Sequence, residues 1–246
     1  MTVWIETELC NGCMSCVKEC PYGAIEIQEG RAKILDRCTS CGLCVLVCKQ
    51  GAVHSDVVPR EIPDFSDRKG IWVVAEQRGG ELMRVSLELL GKAAELAEQL
   101  EEDVCALVLG WKTSGFAEEL MRYGASKVYA ADHRLLEHYR SDAYTKVVCE
   151  LIENYRPNIV LIGATMLGRD LAPRISRRVR AGLTADCTEL SIDEKEKILL
   201  QTRPAFGGNV MATIANRYSR PQMATVRPGV MKPLSLIHIS EPTRPY

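Results

Sequence analysis

Downstream of Gly70 the chain alternates short apolar runs with stretches in which apolar residues recur every three or four positions. Ile71 to Ala75, Val104 to Leu109, Val128 to Ala131 and Ile159 to Ile162 have the length of strands, and their unbroken apolar character predicts strands covered on both faces, as in a parallel sheet. Between the first two, Leu82, Val85, Leu89, Ala93, Leu96 and Leu100 mark one face of a helix. Shorter stripes at Tyr144, Val147, Leu151 and Tyr155, and at Leu171, Ile175 and Val179, predict two more helices. Strand and helix in alternation predict right-handed crossovers and a doubly wound parallel α/β sheet. From Thr184 the pattern changes. Cys187 to Ile192 and Ile198 to Thr202 flank the charged turn Asp193 to Lys197 and predict a hairpin, and Val210 to Ile214 and Met223 to Val226 predict further strands.

The first sixty residues follow a different rule. Eight of the eleven cysteines fall between Cys10 and Cys48, and they repeat: Cys10, Cys13, Cys16 and Cys20 recur as Cys38, Cys41, Cys44 and Cys48, each shifted by 28. Both copies continue alike, Gly23-Ala24-Ile25 against Gly51-Ala52-Val53, so the segment is a duplicated unit flanked by short strands. Pro59 and Pro63 then interrupt every periodicity and predict a linker. The expected organisation is a small cysteine-rich domain over 1–56, a linker over 57–69, the α/β body over 70–233, and a tail of other character over 234–246.

Cys-x-x-Cys-x-x-Cys-x-x-x-Cys-Pro, from Cys10 to Pro21, is the spacing of bacterial ferredoxins, in which the fourth cysteine serves the other cluster. The second copy has Lys49 in place of the proline. Carried across, one 4Fe-4S cluster takes Cys10, Cys13, Cys16 and Cys48, and the other takes Cys20, Cys38, Cys41 and Cys44. Gly12 and Gly42 allow tight loops that aim thiolates and backbone N–H groups at one point, and soft thiolates suit iron–sulfur chemistry. Structural zinc is the competing use of paired Cys-x-x-Cys motifs. Zinc ribbons separate their two pairs by a longer loop, whereas a triple motif with a fourth cysteine at fixed offset, twice over, fits two cubanes better.

Composition narrows the function classes. With 31 basic and 32 acidic residues the formal net charge is −1, which disfavours a nucleic-acid partner. No apolar run approaches the roughly 18 residues of a membrane-spanning helix. The residues from Met1 to Glu6 lack the basic start and apolar core of a signal peptide, so a cytoplasmic location is expected. Cys105, Cys149 and Cys187 read as small buried hydrophobes, and His54, in the linker region, His133 and His138 stand in no catalytic pattern. No nucleophile, zinc-protease or P-loop motif occurs, so no catalytic residue is assigned. At the end of the fourth apolar run, Gly163, Thr165, Gly168 and Arg169 precede a helix. They make either an anion pocket or a tight turn capped by Asp170, and spacing leaves the two open. Arg174, Arg177, Arg178 and Arg180 read as a solvated helix face or a partner surface.

The body carries a family resemblance. IWVVAE, PNIVLIGATMLGRDLAPRISRRVRAGLTADCTEL, QTRPAFGGNVMATI and RPQMATVRPGVM are similar to the alpha subunit of electron transfer flavoprotein over about residues 70 to 232. With its ferredoxin-like head the chain resembles the longer alpha subunits that accompany acyl-CoA or hydroxyacid dehydrogenases in anaerobes, in complexes that include electron-bifurcating ones. The resemblance implies an electron-transfer subunit of an oxidoreductase complex, in a heterodimer with a beta subunit that carries its own nucleotide or FAD. Other implied partners are a flavin dehydrogenase and a ferredoxin. It further implies an alpha FAD held mainly by a separate C-terminal domain, and a subunit interface that includes Thr202, Arg203, Pro204, Phe206, Gly207, Gly208 and Asn209. The flavin domain expected after Pro233 does not follow. Leu234 to Arg244 resembles a translated sequencing adaptor, so a truncated chain and a disordered tail are expected. The contrasting function is a regulatory module, zinc-stapled and binding an adenine nucleotide without redox activity.

Overall fold

The computed structural model describes residues 3–56, 62–205, 208 and 210–234. The chain divides into two compact units, Met1–Glu61 and Ile62–Tyr246.

The first unit runs β1 (Val3–Ile5), α1 (Ser15–Lys18), β2 (Ile25–Gln28), β3 (Arg31–Ile34), α2 (Leu43–Val47) and β4 (Val53–Ser55). Strands β1 and β4 pair antiparallel with Trp4 opposite His54, and β2 and β3 form a hairpin. The sequence repeat is therefore a structural one: α1 and β2 of the first copy return as α2 and β4. His54 lies on β4 rather than in a linker, stacked on Trp4 with Nε2 3.0 Å from the Glu6 carboxylate. The buried core is small, Cys16, Ile25, Ala32, Cys44 and Val53, with other cysteines packed around it. A unit of this size buries little apolar surface, so whatever the cysteines hold takes the place of a larger core.

The second unit continues with β5 (Ile71–Ala75), β6 (Gln77–Arg78), β7 (Glu81–Leu82), α3 (Arg84–Leu100), β8 (Val104–Gly110), α4 (Phe116–Arg122), β9 (Lys127–Asp132) and α5 (Ser141–Tyr155). After these come β10 (Ile159–Gly163), α6 (Met166–Val179), β11 (Leu183–Cys187), β12 (Glu189–Ile192), β13 (Leu199–Ala205), β14 (Val210–Ala215) and β15 (Gln222–Val226). Six strands form a wholly parallel sheet in the order β11-β15-β10-β5-β8-β9. Every residue of β5, β8 and β10 is buried. Alternation splits their side chains between two layers. Ile71, Val73 and Leu161 meet Leu89 and Leu96 of α3 on one face, while Trp72, Leu107 and Val160 meet Ile152 of α5 and Leu171 and Ile175 of α6 on the other. This is the doubly wound α/β fold that the apolar runs predict, except that Val128 to Ala131 lies on β9, an edge strand that the sheet leaves partly exposed.

Four local expectations are corrected. Cys187 belongs to the parallel strand β11, not to the hairpin. Asp186 takes a positive φ and the register shifts between Thr184 and Cys187, so the chain turns out of the sheet there. The hairpin is β12–β13 alone, with the Thr188 N–H donating to the Thr202 carbonyl, and β14 completes a separate antiparallel sheet. Helix α5 buries Thr145, Val148, Cys149 and Ile152 beside Tyr144. Tyr155, expected on the buried stripe, is 51% exposed and packs on the Tyr129 ring, centroids 4.6 Å apart. Residues 57–61 of the expected linker lie outside the described residues, but the rest docks on the body: Arg220 stacks over Phe65 at 4.5 Å, Arg156 pairs with Asp67, and the Lys69 N–H donates to the Arg156 carbonyl. Of the expected disordered tail only Leu234 is described. It packs beside Gly124, after the Lys232 carbonyl has crossed α3 at Gly91. Residues 235–246 lie outside the described residues.

Candidate metal centre

Each half of the head closes on a cavity. The first is lined by Cys10, Cys13, Cys16 and Cys48, the second by Cys20, Cys38, Cys41 and Cys44. The fold thus brings together the two sets, fourth cysteines exchanged, that the ferredoxin spacing groups. The exchange follows from topology. Cys20 and Cys48 each open the turn that follows their helix, with the Gly23 and Gly51 N–H groups donating to their carbonyls, and the two helices pack side by side, so each terminal cysteine reaches its neighbour's loop.

The loops share a backbone geometry that their sequences only half reveal. Gly12 and Met14 in the first copy, and Ser40 and Gly42 in the second, all have positive φ, at matching offsets. Glycine fills the first of these positions in one copy and the second in the other. Gly12 has no alternative, since a Cβ there would stand 2.2 Å from the Gly30 carbonyl oxygen. Left-handed residues between right-handed ones turn successive N–H groups to one side and make a concavity for an anion, an arrangement common at iron–sulfur sites. Three backbone donors reach sulfur: Ala32 N–H to Cys10 at 3.4 Å, Ala24 N–H to Cys20 at 3.3 Å, and Ser40 N–H to Cys38 at 3.4 Å.

Burial pushes the Cys16 and Cys44 thiols up, whereas the neighbouring Ser15 hydroxyl lowers that of Cys13. Cys16 and Cys44 are buried, and Cys13 and Cys41 lie at the surface, so each set has one inner and one outer ligand. Among the described residues no three His, Cys, Asp or Glu side chains come close enough to hold a single metal ion. Four thiols around each cavity, with backbone N–H groups directed at sulfur, suit an anionic iron–sulfur cluster. Cys105, Cys149 and Cys187 are buried in the second unit. Burial pushes their thiols up, that of Cys187 to about 11, which leaves them protonated and inert.

The turn after β10 packs Gly163 to Asp170 closely against its neighbours. A Cβ on Gly168 would stand 1.8 Å from the Gly163 carbonyl oxygen, and one on Gly163 would meet the Val85 side chain at 2.9 Å. Both glycines serve close strand–helix contact. The helix cap is Thr165, not Asp170: its Oγ1 accepts the Gly168 N–H at 3.1 Å and donates to the buried Glu76 carboxylate at 2.6 Å. Asp170 instead accepts the Tyr139 hydroxyl at 2.6 Å, and Arg169 pairs with Asp186 at 3.0 Å. The Thr165 hydroxyl and the Arg169 guanidinium thus have partners within the chain, and a short polar side chain at the N-cap position outcompetes one in the first turns. Gly168→Ala is expected to destabilise the body by about 2 kcal/mol, read as a lower urea midpoint. An unchanged midpoint would show that α6 can slide away from β10. Arg174, Arg177 and Arg178 are exposed on α6 and Arg180 is exposed at its C-cap, with Arg174 paired with Asp170.

Thr202, Arg203 and Pro204 lie on β13, and Gly208 at the tip of the β13–β14 hairpin; Phe206, Gly207 and Asn209 lie outside the described residues. Past that tip Val210 and Met211 are 50% and 54% exposed. Among the described residues no helix is long and apolar enough to cross a membrane.

Comparison with known proteins meets this geometry in both units. Residues 9–53 match the 4Fe-4S dicluster domain, which supports iron–sulfur binding by the head, and residues 71–244 match the electron transfer flavoprotein domain. The chain is 56% identical over 169 residues to the electron transfer flavoprotein subunit alpha of Clostridium acetobutylicum, covering 69% of this chain and 50% of that one. It is 41% identical over 191 residues to the acryloyl-CoA reductase electron transfer subunit beta of Anaerotignum propionicum, covering 69% and 52%. The match to the LctC subunit of a lactate dehydrogenase (NAD(+),ferredoxin) of Acetobacterium woodii is 38% over 221 residues and covers 90% of this chain and 46% of that one, so it takes in the cysteine-rich head as well. The chain spans about half the length of the curated relatives it matches. A doubly wound parallel sheet with an antiparallel hairpin extension, matched along its whole length and preceded by a dicluster head, leaves one conclusion: this chain belongs to the electron transfer flavoprotein family, on the side of its alpha subunits.

Proposed function

We propose that the chain is an electron-transfer subunit that moves single electrons between two 4Fe-4S clusters in its head and the flavins of a larger flavoprotein and dehydrogenase complex. The observation that carries this reading is the pair of four-cysteine cavities, each completed by a cysteine of the other repeat, on a chain of this family. An iron–sulfur cluster, when bound, supplies a one-electron donor and acceptor whose potential the protein sets through sulfur hydrogen bonds, burial and charge. Cys10, Cys13, Cys16 and Cys48 would hold one, and Cys20, Cys38, Cys41 and Cys44 the other. The buried Cys16 and Cys44 bring the inner edges of the sets toward each other, and the surface Cys13 and Cys41 give each set an outer edge for exchange.

The partner reading rests on the body. The exposed Val210 and Met211, paired with Ala205 and Pro204 of β13, offer an apolar surface suited to a beta subunit. A dehydrogenase and a ferredoxin come to the proposal from relatives, among them the LctC subunit of a lactate dehydrogenase (NAD(+),ferredoxin), and FAD and the bifurcating form of the reaction from the family resemblance. The division into a cluster domain, an α/β scaffold and a cytoplasmic setting belongs to the same proposal. Anaerobic purification of the whole chain is expected to yield a brown protein with about eight irons and eight acid-labile sulfides, four of each per cluster, and an electron paramagnetic resonance signal on reduction. Stoichiometric zinc with iron at background would overturn it in favour of a zinc-stapled module.

A further inference from the structure

The two repeats differ where their cysteine loops turn into helices. Shifted by 28, Ser15 of the first copy corresponds to Leu43 of the second. Ser15 Oγ lies 3.5 Å from Cys13 Sγ, whereas a leucine at 43 has nothing to offer Cys41. Ser15 opens α1 and is half-buried, so its hydroxyl is partly shielded from water. Backbone donors reach sulfur in both sets, and any sequence with this fold would keep them. The hydroxyl is different in kind: it is a side-chain donor, present at this position in one copy and absent from the other.

A thiolate bound to iron only accepts, so in the loaded protein the hydroxyl donates to Cys13 Sγ. Reduction adds one electron and makes the cluster sulfurs more negative, which strengthens an O–H···S bond more in the reduced state than in the oxidised one. Resting on the four-cysteine ligation above, we propose that Ser15 is a positioning residue for electron transfer. Its hydroxyl holds the cluster of Cys10, Cys13, Cys16 and Cys48 at a higher reduction potential than the same ligands would have without it. The duplicated head thereby carries two unequal sites, and the inequality is written at positions 15 and 43.

The test is a spectroscopic redox titration of the whole anaerobic chain, compared with Ser15→Ala, Ser15→Thr and Leu43→Ser, with iron measured in each. In Ser15→Ala one of the two one-electron steps is expected to become about tenfold less favourable, a downward shift of about 59 mV, while the other stays in place. Ser15→Thr keeps the hydroxyl and the original value. Leu43→Ser raises the other step by a similar factor. Full iron with unmoved steps in Ser15→Ala, or the same downward shift in Ser15→Thr, overturns the role of the hydroxyl and leaves the ligation standing. Should Ser15→Ala lose iron, Leu43→Ser decides: a raised step supports the proposal and an unmoved one overturns it. An unsubstituted chain with no iron-dependent step overturns the ligation itself, and the proposal with it.

Discussion

Replacing Cys48 with alanine is expected to cost the chain about half its iron and sulfide, and the cluster lost is the one whose other ligands sit in the opposite repeat, Cys10, Cys13 and Cys16. Double substitutions expose this crossing, since residues that serve one unit do not add. Cys13→Ala with Cys48→Ala should retain as much iron as either alone, whereas Cys41→Ala with Cys48→Ala should lose both clusters. If the second pair behaved like a single substitution, ligation would run within each repeat and the exchanged assignment would be wrong. The head should loosen locally in each case, because its buried core is small and Cys16 and Cys44 are part of it. The body has two apolar layers of its own and should keep its unfolding transition.

Arg220→Ala should destabilise the body by about 3 kcal/mol, the order expected when a half-buried cation leaves its acceptors unpaired. The guanidinium donates to Asn158 Oδ1 at 3.0 Å and to the carbonyls of Asn216 and Ser219 at 2.9 and 3.0 Å, and it lies over Phe65. Asn158 in turn donates to Glu102, whose other oxygen accepts the Gly70 N–H at 2.8 Å. This chain of contacts fastens the segment entering β5 to the body. Burial holds the Glu102 carboxyl above its ordinary value, and the charge of Arg220 opposes that rise. A carboxyl raised in the fold contributes stability below its unfolded value and loses it as pH climbs through the folded one. Removing Arg220 raises it further. The deficit of Arg220→Ala should therefore be largest at neutral pH and narrow as Glu102 protonates, measured by urea unfolding at neutral and acidic pH. A pH-independent deficit would mean that only the neutral hydrogen bonds matter, and an unchanged midpoint that the network is dispensable.

Much of this was legible in the residues. The apolar runs at β5, β8 and β10 appear in the sequence because central parallel strands are buried on both faces, which leaves no polar position to blur the signal. The cysteine sets were legible because cluster ligation fixes residue type and spacing together. The buried face of α5 was not, since its apolar sector is wider than the surface it covers, and the packing of α6 chose which edge went inside. The cap at Thr165 was misread as Asp170, because both lie near the helix start and only the hydrogen bonds distinguish them.

The sequence by itself determined the repeat, the grouping of the cysteines into two sets of four and the alternation that makes a doubly wound sheet, all of which are local or periodic properties. Only the tertiary structure decided that β15 slips between β10 and β11, that Gly163 and Gly168 close a turn, and that Ser15 puts a hydroxyl beside Cys13 where Leu43 offers Cys41 none. Those outcomes depend on which distant residues come within bonding distance, and spacing along the chain does not encode distance across it.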